Sequence, residues 1–470
     1  MEISTPRTVF FIGIIGGGPL ALWTSSLVLL VFTTITAAVL CEICSALPTS
    51  GSLYVWAAEA AGPKYGRFVA FITAWWVTAA WMTFPAAAAQ FGATYILSIP
   101  SVYGRDFPGG ISNDNVKWRA VIWIVAQILL LFGIGLSCIP PRRYPIIFRI
   151  AMATILFDMF LNITWFPARV HKTYGFRSSK ETLLTTFNAT GASTGWSWML
   201  SFFALISSIA GFEASAHVAE ETKNAKIVAA RSVLAGGFSV ALFQFIATIL
   251  YLFCVPSMEV MATLNAPQPF VLVYSLALGR GGATFMAILS TLNYTLATVG
   301  IVMSASRLVF AIARDGALPF AKWVQKITPD KGPRNAVLLV YMYSATLLCT
   351  SLPSAVAFTS LMSIGCVPLV ATYGLIGLLR LVVTPGGFKS TEYSLGYLAR
   401  PFYFLTAVFG ALMVSVLLSP LQFPVTGPNL NYAGVVFGAV TIFGVLTYWR
   451  IPENKWMRSD RIQEMFDAAD

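Results

Sequence analysis

Eleven apolar stretches limit the folds open to this 470-residue chain more than any other feature. As a helix, each is about long enough to cross a lipid bilayer. A helix needs about 20 apolar residues to cross the hydrocarbon core of a membrane. Clusters of proline and glycine separate the stretches, as is typical of loops between spans. The pattern predicts an all-α, polytopic membrane protein with spans near residues 20–41, 68–97, 117–137, 145–166, 197–217, 231–255, 283–312, 335–352, 357–379, 401–420 and 432–449.

The composition agrees with a membrane class and argues against soluble ones. Apolar residues make up 57% of the chain and charged residues only 10%, whereas soluble domains carry about 25% charged residues. The net charge of +11 fits the positive loops on the cytoplasmic side of a membrane protein. Nucleic acid is therefore not an expected partner, and the lipid bilayer is.

The positions of the basic residues predict the orientation of the chain. If the helix that begins at Leu20 runs from outside to inside, most of the 30 lysines and arginines fall in cytoplasmic loops, as the positive-inside rule requires. The loop sequon Asn188-Ala189-Thr190 then lies outside. Asn188 is therefore a predicted glycosylation site.

The segment before Gly16 has too short an apolar run to form a complete membrane span. Before Gly16-Gly17-Gly18-Pro19 the apolar run covers only Val9 to Ile15, and seven helical residues rise only about 10 Å. This segment is either an incomplete first helix or a short segment that enters the membrane. It lacks the cleavage site of a signal peptide.

These features divide the chain into five parts and two short segments between spans. Residues 50–62 suit a helix that lies along the cytoplasmic interface, and residues 258–280 suit an outer helical cap. The parts are the incomplete first helix at 1–19, helices 2–6 at 20–217, helices 7–10 with cytoplasmic loops at 218–400, helices 11 and 12 at 401–450, and a cytoplasmic tail at 451–470.

Residues 207–226 are the richest candidate for a functional site. The middle and inner half of one span are crowded with Ser207, Ser208, Gly211, Ser215 and His217. This composition suits a discontinuous helix whose freed backbone groups contact substrate or ions. Glu213 would then face a polar cavity and bind an ammonium or carry a proton. The alternative for Glu213 is a contact that serves assembly only. Phe212 could cover a substrate, or simply pack.

Three further groups of charged residues are candidates for coupling or gating. Asp158 lies midway along its span with no basic residue within one helical turn, which suits proton coupling; the alternative is a hydrogen bond to a neighbouring hydroxyl. Arg307 can pair with Glu220, Glu221 or Asp315 as a cytoplasmic gate. The alternative for Arg307 is snorkelling to the inner interface.

The sequence also excludes several classes of function. Nucleotide-binding loops and the nucleophile or zinc motifs of soluble-type enzymes are absent, so neither an enzyme nor an ATP-driven pump is expected. No cofactor is implied, and two histidines are too few for a histidine-rich metal centre. A channel is disfavoured because the sequence has no repeated filter motif or ring of charges.

Six strings between Gly17 and about Trp456 stand out as motifs. They are GGPLALW at 17–23, CEICSALPTSGSLYVWAA at 41–58, GFEASAHVAEETKNA at 211–225, SRLVFAIARDGALPFAKW at 306–323, SIGCVPLVATYGLIGLLRL at 363–381 and FPVTGPNLNYAGVVFG at 423–438. Together they resemble the fungal amino acid/choline permease branch of the amino acid–polyamine–organocation superfamily. The motifs around ALPTSGSLY, H-x-x-EET-x-NA and SR-x-x-FA-x-ARDGALP are specific to that branch.

The resemblance implies a twelve-helix carrier with two inverted five-helix repeats and breaks in helices 1 and 6. About eleven helices are complete here, and the first is incomplete. The substrate-contacting break of helix 6 corresponds to Gly211, Phe212, Glu213 and Ala214, and the inner polar cluster corresponds to Glu220, Glu221 and Arg307. Asp158 matches no pattern of the branch. Members resembling this chain carry amino acids, γ-aminobutyrate, choline and related amines, usually with protons.

The leading hypothesis is therefore a secondary active carrier that moves an amino acid or small amine by alternating access. The alternative is a truncated, transport-inactive or sensor-like member, because the expected first helix contributes half of the substrate site. The plasma membrane is favoured over the vacuolar membrane. The oligomeric state has no signal in the sequence.

Overall fold

The computed structural model describes residues 4–314, 318, 320–328, 332–353, 355–386, 388 and 391–452. Helices dominate the described residues, and a two-residue antiparallel ribbon joins two loops. The helices are α1 Ser4–Ile15, α2 Gly18–Ala46, α3 Leu53–Ala60, α4 Gly62–Ile96, α5 Ile99–Val102, α6 Val116–Ser137, α7 Tyr144–Ile163, α8 Trp165–Lys172, α9 Ser179–Leu183, α10 Thr194–Ile209, α11 Ala225–Cys254, α12 Met258–Thr263, α13 Phe270–Arg314, α14 Ala321–Val324, α15 Arg334–Leu348, α16 Ala355–Val382, α17 Ala399–Leu418 and α18 Ala433–Arg450. The strands are β1 Gly16–Gly17 and β2 Phe187–Asn188.

The predicted spans agree with the helices in all but one case. Within the described residues, ten helices are long and apolar enough to cross a membrane. The stretch predicted at 335–352 is a shorter helix, α15, of 15 residues, followed by a 3₁₀ turn at Cys349–Ser351. The all-α polytopic fold is confirmed. Long continuous helices are the expected solution in lipid, because a helix satisfies its own backbone hydrogen bonds.

The two segments predicted between spans have different outcomes. Residues 258–280 form the expected cap, with α12 followed by the start of α13, which bends at Gly279. The interface helix expected at 50–62 is wrong, because all eight residues of α3 are buried. An ion pair of 3.0 Å between Glu59 and Arg380 ties α3 to α16 inside the protein. The predicted tail lies outside the described residues beyond position 452.

The first segment is longer than the seven apolar residues predicted. α1 has 12 residues, and it packs against α10 and α2. β1 follows it and pairs with β2 in the loop between α9 and α10, with Gly16 opposite Asn188. A glycine is required next to this ribbon, because Gly18 has a φ of +78° and a Cβ there would lie 2.5 Å from the Phe187 nitrogen. The ribbon therefore fixes where α1 ends and α2 begins.

A buried ion pair holds α1 to the rest of the bundle. Arg7 Nη1 and Nη2 donate to the two carboxylate oxygens of Asp158 on α7, at 2.9 and 2.7 Å. The same guanidinium donates to the Tyr274 hydroxyl at 3.0 Å and to the Ser290 hydroxyl at 2.7 Å, both on α13. Arg7 is 0% and Asp158 1% exposed. The expectation of a lone carboxylate at Asp158 is therefore wrong.

Two asparagines complete the polar network around Asp158. Asn162 Nδ2 and Asn293 Nδ2 each donate to one carboxylate oxygen, both at 3.0 Å. Tyr274 in turn donates to Asn162 Oδ1 at 2.6 Å. A buried charge pair is stable only when further hydrogen bonds satisfy its remaining atoms, and this network provides them.

We expect removal of either charge to destabilise the bundle. Arg7→Met leaves the Asp158 carboxylate without its cation, and breaking a buried pair in this way costs about 3–5 kcal/mol. The melting temperature of the protein purified in detergent should fall clearly below that of the parent. Arg169→Met, at an exposed arginine of α8, is the matched control.

A second variant separates lost pairing from lost packing. Arg7→Met combined with Asp158→Leu removes both charges, so it should recover part of the melting temperature lost in either single variant. If Arg7→Met melts no earlier than Arg169→Met, the pair does not anchor α1.

Candidate substrate site

The helix that contains the predicted break is interrupted, as the sequence indicates. α10 ends at Ile209, Ala210 is extended, and Gly211 takes a left-handed conformation with a φ of 88°. A 3₁₀ helix follows at Phe212–Glu221. The backbone nitrogen of Gly211 donates to the Tyr373 hydroxyl of α16 at 3.4 Å. Glycine suits this position because other residues rarely adopt a positive φ.

Glu213 is held just after the break by two neighbouring helices. The indole Nε1 of Trp81 on α4 donates to Glu213 Oε1 at 3.3 Å, and the Tyr373 hydroxyl donates to Oε2. The side chain is 0% exposed. Among the residues that the structure describes, no lysine or arginine forms an ion pair with Glu213. It is thus a buried carboxylate whose charge no described base compensates.

A cavity of about 370 Å³ lies against the break. Its size is in the range of pockets that bind small molecules. Four aromatic rings and several hydroxyls line it, and none of the lining residues that the structure describes is charged. The rings belong to Trp81, Phe84, Phe91 and Tyr294, and the hydroxyls to Thr5, Ser207, Ser208, Ser215 and Ser304.

Two of the four predicted substrate-contact residues line this cavity, and two do not. Gly211 and Ala214 line it. Phe212 instead packs on Tyr373, with ring centroids 5.3 Å apart, and lines a small void of about 30 Å³ beside α2 and α17. Glu213 does not line the cavity and reaches it only through Trp81. The expectation that Glu213 faces the cavity directly does not hold in this conformation.

Two of the serines on the cavity wall are available for a ligand. Ser208 lies on the last turn of α10, and Ser215 lies on the 3₁₀ helix. Within the described part of the chain, neither hydroxyl has a hydrogen-bond partner. Buried hydroxyls are normally satisfied, so these two are suited to bind a polar group of a substrate.

A second cavity, of about 320 Å³, lies next to the first. Its lining includes Thr8 of α1, Asn113, and Pro267–Pro269 between α12 and α13. Phe91 and Ser207 line both cavities. The two cavities are therefore neighbours that share part of their walls.

The inner polar cluster forms ion pairs between the 3₁₀ helix and α13. Arg307 Nε donates to Glu221 at 3.1 Å, which is one of the three predicted partners. Glu220 pairs with Arg314 at 2.9 Å and accepts from the Ser50 nitrogen at 3.1 Å. Asp315 lies outside the described residues. A gating role for these residues stays a prediction.

The predicted glycosylation site lies on the outer ribbon. Asn188 is exposed, and its Nδ2 donates to the Ala192 carbonyl oxygen at 2.8 Å. The Thr190 hydroxyl donates to Asn188 Oδ1 at 2.7 Å. Glycan attachment there stays a prediction.

The sequence did not single out three residues that the structure places at these sites. In the sequence, Trp81 fits packing against its neighbours as well as it fits contact with a substrate. Tyr373 lies in a string of apolar residues, and Arg7 precedes the first apolar run, so neither stands out as a site residue. One general signal existed for Trp81 and Tyr373, since a buried indole or phenol needs a hydrogen-bond partner. No signal in the sequence links Arg7 to Asp158, which is 151 positions away.

A family model described as amino acid permease matches residues 3–441. The chain belongs to the amino acid permease family. This confirms the resemblance to the amino acid–polyamine–organocation superfamily, and it identifies the chain as a non-enzymatic transport protein of the multi-pass membrane class.

Individual relatives of this permease differ in what their names say they carry. The thiamine transporter thi9 of Schizosaccharomyces pombe is 42% identical, over 97% of this chain and 81% of the relative. The amino-acid permease BAT1 of Arabidopsis thaliana is 28% identical, over 90% of this chain and 83% of the relative. The family therefore shows transport of a small molecule and leaves the substrate open.

A solved structure supports the fold of the permease. The manganese transporter of Eremococcus coleocola superposes with a TM-score of 0.54, over 99% of this chain and 95% of that one. The two sequences are 13% identical, so this likeness concerns the fold alone.

We expect the Tyr373 hydroxyl to stabilise the broken helix. Tyr373→Phe removes a donor from the buried Glu213 carboxylate and an acceptor from the Gly211 nitrogen, and an unsatisfied buried group costs about 1–3 kcal/mol. The melting temperature in detergent should fall. Tyr397→Phe, at a residue that is 90% exposed, is the control and should not change it. Equal melting temperatures for both variants would contradict the described geometry.

Proposed function

We propose that this permease is a secondary active, proton-coupled carrier of a small organic cation, working by alternating access. The observation that carries the proposal is Glu213, a fully buried carboxylate with no basic partner among the described residues. It lies behind a cavity wall made of rings and hydroxyls. Such a site supplies negative charge and aromatic faces, both of which attract cations.

The lining of the cavity favours a cation over a free amino acid. An amino acid also presents a carboxylate, which proteins usually bind with arginine, lysine or a helix N-terminus. Arginine and lysine do not occur among the described residues that line the cavity. At the break, the Gly211 nitrogen already donates to Tyr373. Anchoring groups for a substrate carboxylate are thus fewer than those for a cation.

The 42% identical relative is named a thiamine transporter, and that name agrees with this preference. Thiamine carries a permanently charged thiazolium ring and a second aromatic ring. Trp81, Phe84, Phe91 and Tyr294 offer faces for stacking against such rings. We therefore propose thiamine as the first substrate to test, with choline-like amines second and γ-aminobutyrate and other amino acids third.

Glu213 also supports the proton coupling. Trp81 must move for a substrate to reach the carboxylate directly. A substrate in the cavity therefore acts on Glu213 through the indole, which donates a hydrogen bond to the carboxylate. A change in the protonation of Glu213 alters this hydrogen bond and the position of the ring on the cavity wall. Proton binding and substrate binding are linked in this way.

Glu213→Gln tests the proposal because glutamine keeps the shape of the side chain and cannot ionise. A charge-assisted interaction is worth about 1.5–3 kcal/mol, so the apparent KM for labelled thiamine should rise about tenfold to a hundredfold. Uptake should also lose its dependence on external pH. The measurement is uptake between pH 5 and 8 by cells that express the variant and lack their own thiamine carrier.

The control is Glu259→Gln, which removes an exposed carboxylate at the start of α12. This variant should match the parent in KM and in pH profile. Unchanged uptake and pH dependence in Glu213→Gln would contradict the proposed role of Glu213. If the parent reaches the cell surface and moves none of the tested compounds, the transport-inactive or sensor-like alternative is favoured. Residence in the plasma membrane stays a prediction, which a fluorescent fusion tests.

A further inference from the structure

His217 is a buried titratable residue that the proposed transport cycle leaves unused. It lies on the 3₁₀ helix four positions after Glu213 and is 0% exposed. Its ring meets the Trp81 indole edge-on, with centroids 5.0 Å apart and an interplanar angle of 85°. Trp81 therefore contacts both Glu213 and His217.

The other side of the imidazole meets the turn that connects α2 with α3. His217 Nδ1 lies 3.0 Å from the Ser52 hydroxyl and 3.4 Å from the Ser50 carbonyl oxygen. Glu220 Oε1 accepts from the Ser50 nitrogen on the same turn. The turn, residues 49–52, is thus held by two side chains of the 3₁₀ helix.

The turn itself is in an unfavourable conformation. Ser52 has a φ of 39° and a ψ of −111°, a combination that non-glycine residues rarely adopt. Such a conformation persists only where its surroundings hold it. Ser52 is 0% exposed, and its hydroxyl bonds to His217. Loss of that bond therefore favours release of the turn.

The second imidazole nitrogen also suggests more than a packing role. Within the described part of the chain, Nε2 of His217 is buried and has no hydrogen-bond partner. A histidine kept only for structure would normally have both nitrogens satisfied. The ring therefore has a hydrogen bond to the turn through Nδ1 and an edge contact with the indole.

We propose that His217 is a positioning residue that transmits the state of Glu213 to the cytoplasmic turn at residues 49–52. Glu213 fixes the Trp81 indole, the indole fixes the edge of the imidazole, and the imidazole holds Ser52. When substrate or a proton changes the Glu213–Trp81 bond, the imidazole shifts and the turn is released. The inference rests on the proposed role of Glu213 as the group whose charge changes during transport.

Hydrogen exchange of the turn tests this link without any uptake measurement. The full chain is purified in lipid nanodiscs, and exchange is followed by mass spectrometry in peptides that cover residues 47–56. We expect Glu213→Gln to speed exchange in these peptides about tenfold, the change expected when one hydrogen bond is lost. In a His217→Phe background, exchange should already be fast, and Glu213→Gln should add nothing.

His217→Asn distinguishes transmission from simple support of the turn. Asparagine can still bond Ser52 near the position of Nδ1, but it lacks the ring edge that meets Trp81. Basal exchange at residues 47–56 should therefore stay within about twofold of the parent value, while the response to Glu213→Gln is lost. A histidine that only supported the turn would leave that response intact in His217→Asn.

The control is His171→Phe, at the chain's other histidine, which is exposed in α8. This variant should keep both the parent exchange rate and the response to Glu213→Gln. The proposal is overturned if Glu213→Gln does not alter exchange in the turn, or if the response persists in the His217 variants. Failure of cation uptake with an intact exchange response would instead count against the proposed substrate class.

Discussion

The break at Gly211 is the feature on which the rest of the candidate site depends. Inside a membrane every backbone group needs a partner, and an interrupted helix leaves several without one. Tyr373 meets this need by accepting from the Gly211 nitrogen while it donates to Glu213. The same two contacts place a carboxylate beside a cavity. The requirement that permits the break therefore also determines where the charge is held.

Asp158 and Glu213 are two of the buried carboxylates among the described residues, and their surroundings differ. Asp158 is paired with Arg7 and surrounded by asparagine donors, so its charge is compensated and it fixes α1 to α7 and α13. Glu213 has only an indole and a phenol as described partners. Breaking the first pair should damage stability, whereas changing the second should damage transport.

Local patterns predicted most of the spans and the broken helix, because these depend on residues that are close in sequence. Gly211 with its flanking serines indicated the break, and Glu221, which pairs with Arg307, is one of the three partners that the sequence predicted for it. Sequence patterns did not predict the contacts between residues that are far apart along the chain. Arg7 with Asp158, and Trp81 with Glu213, lie 151 and 132 positions apart. The burial of α3 was missed because an apolar helix fits an interface and a protein interior equally well.

We propose that the cavity selects a cation because of its rings and the carboxylate behind them, whose charge no described base compensates. Equilibrium binding of labelled thiamine to the purified permease in nanodiscs tests this selectivity, with choline and alanine as competitors. We expect saturable thiamine binding that choline displaces and that alanine at the same concentration does not. Displacement by alanine that equals or exceeds displacement by choline would show that the cavity does not select a cation.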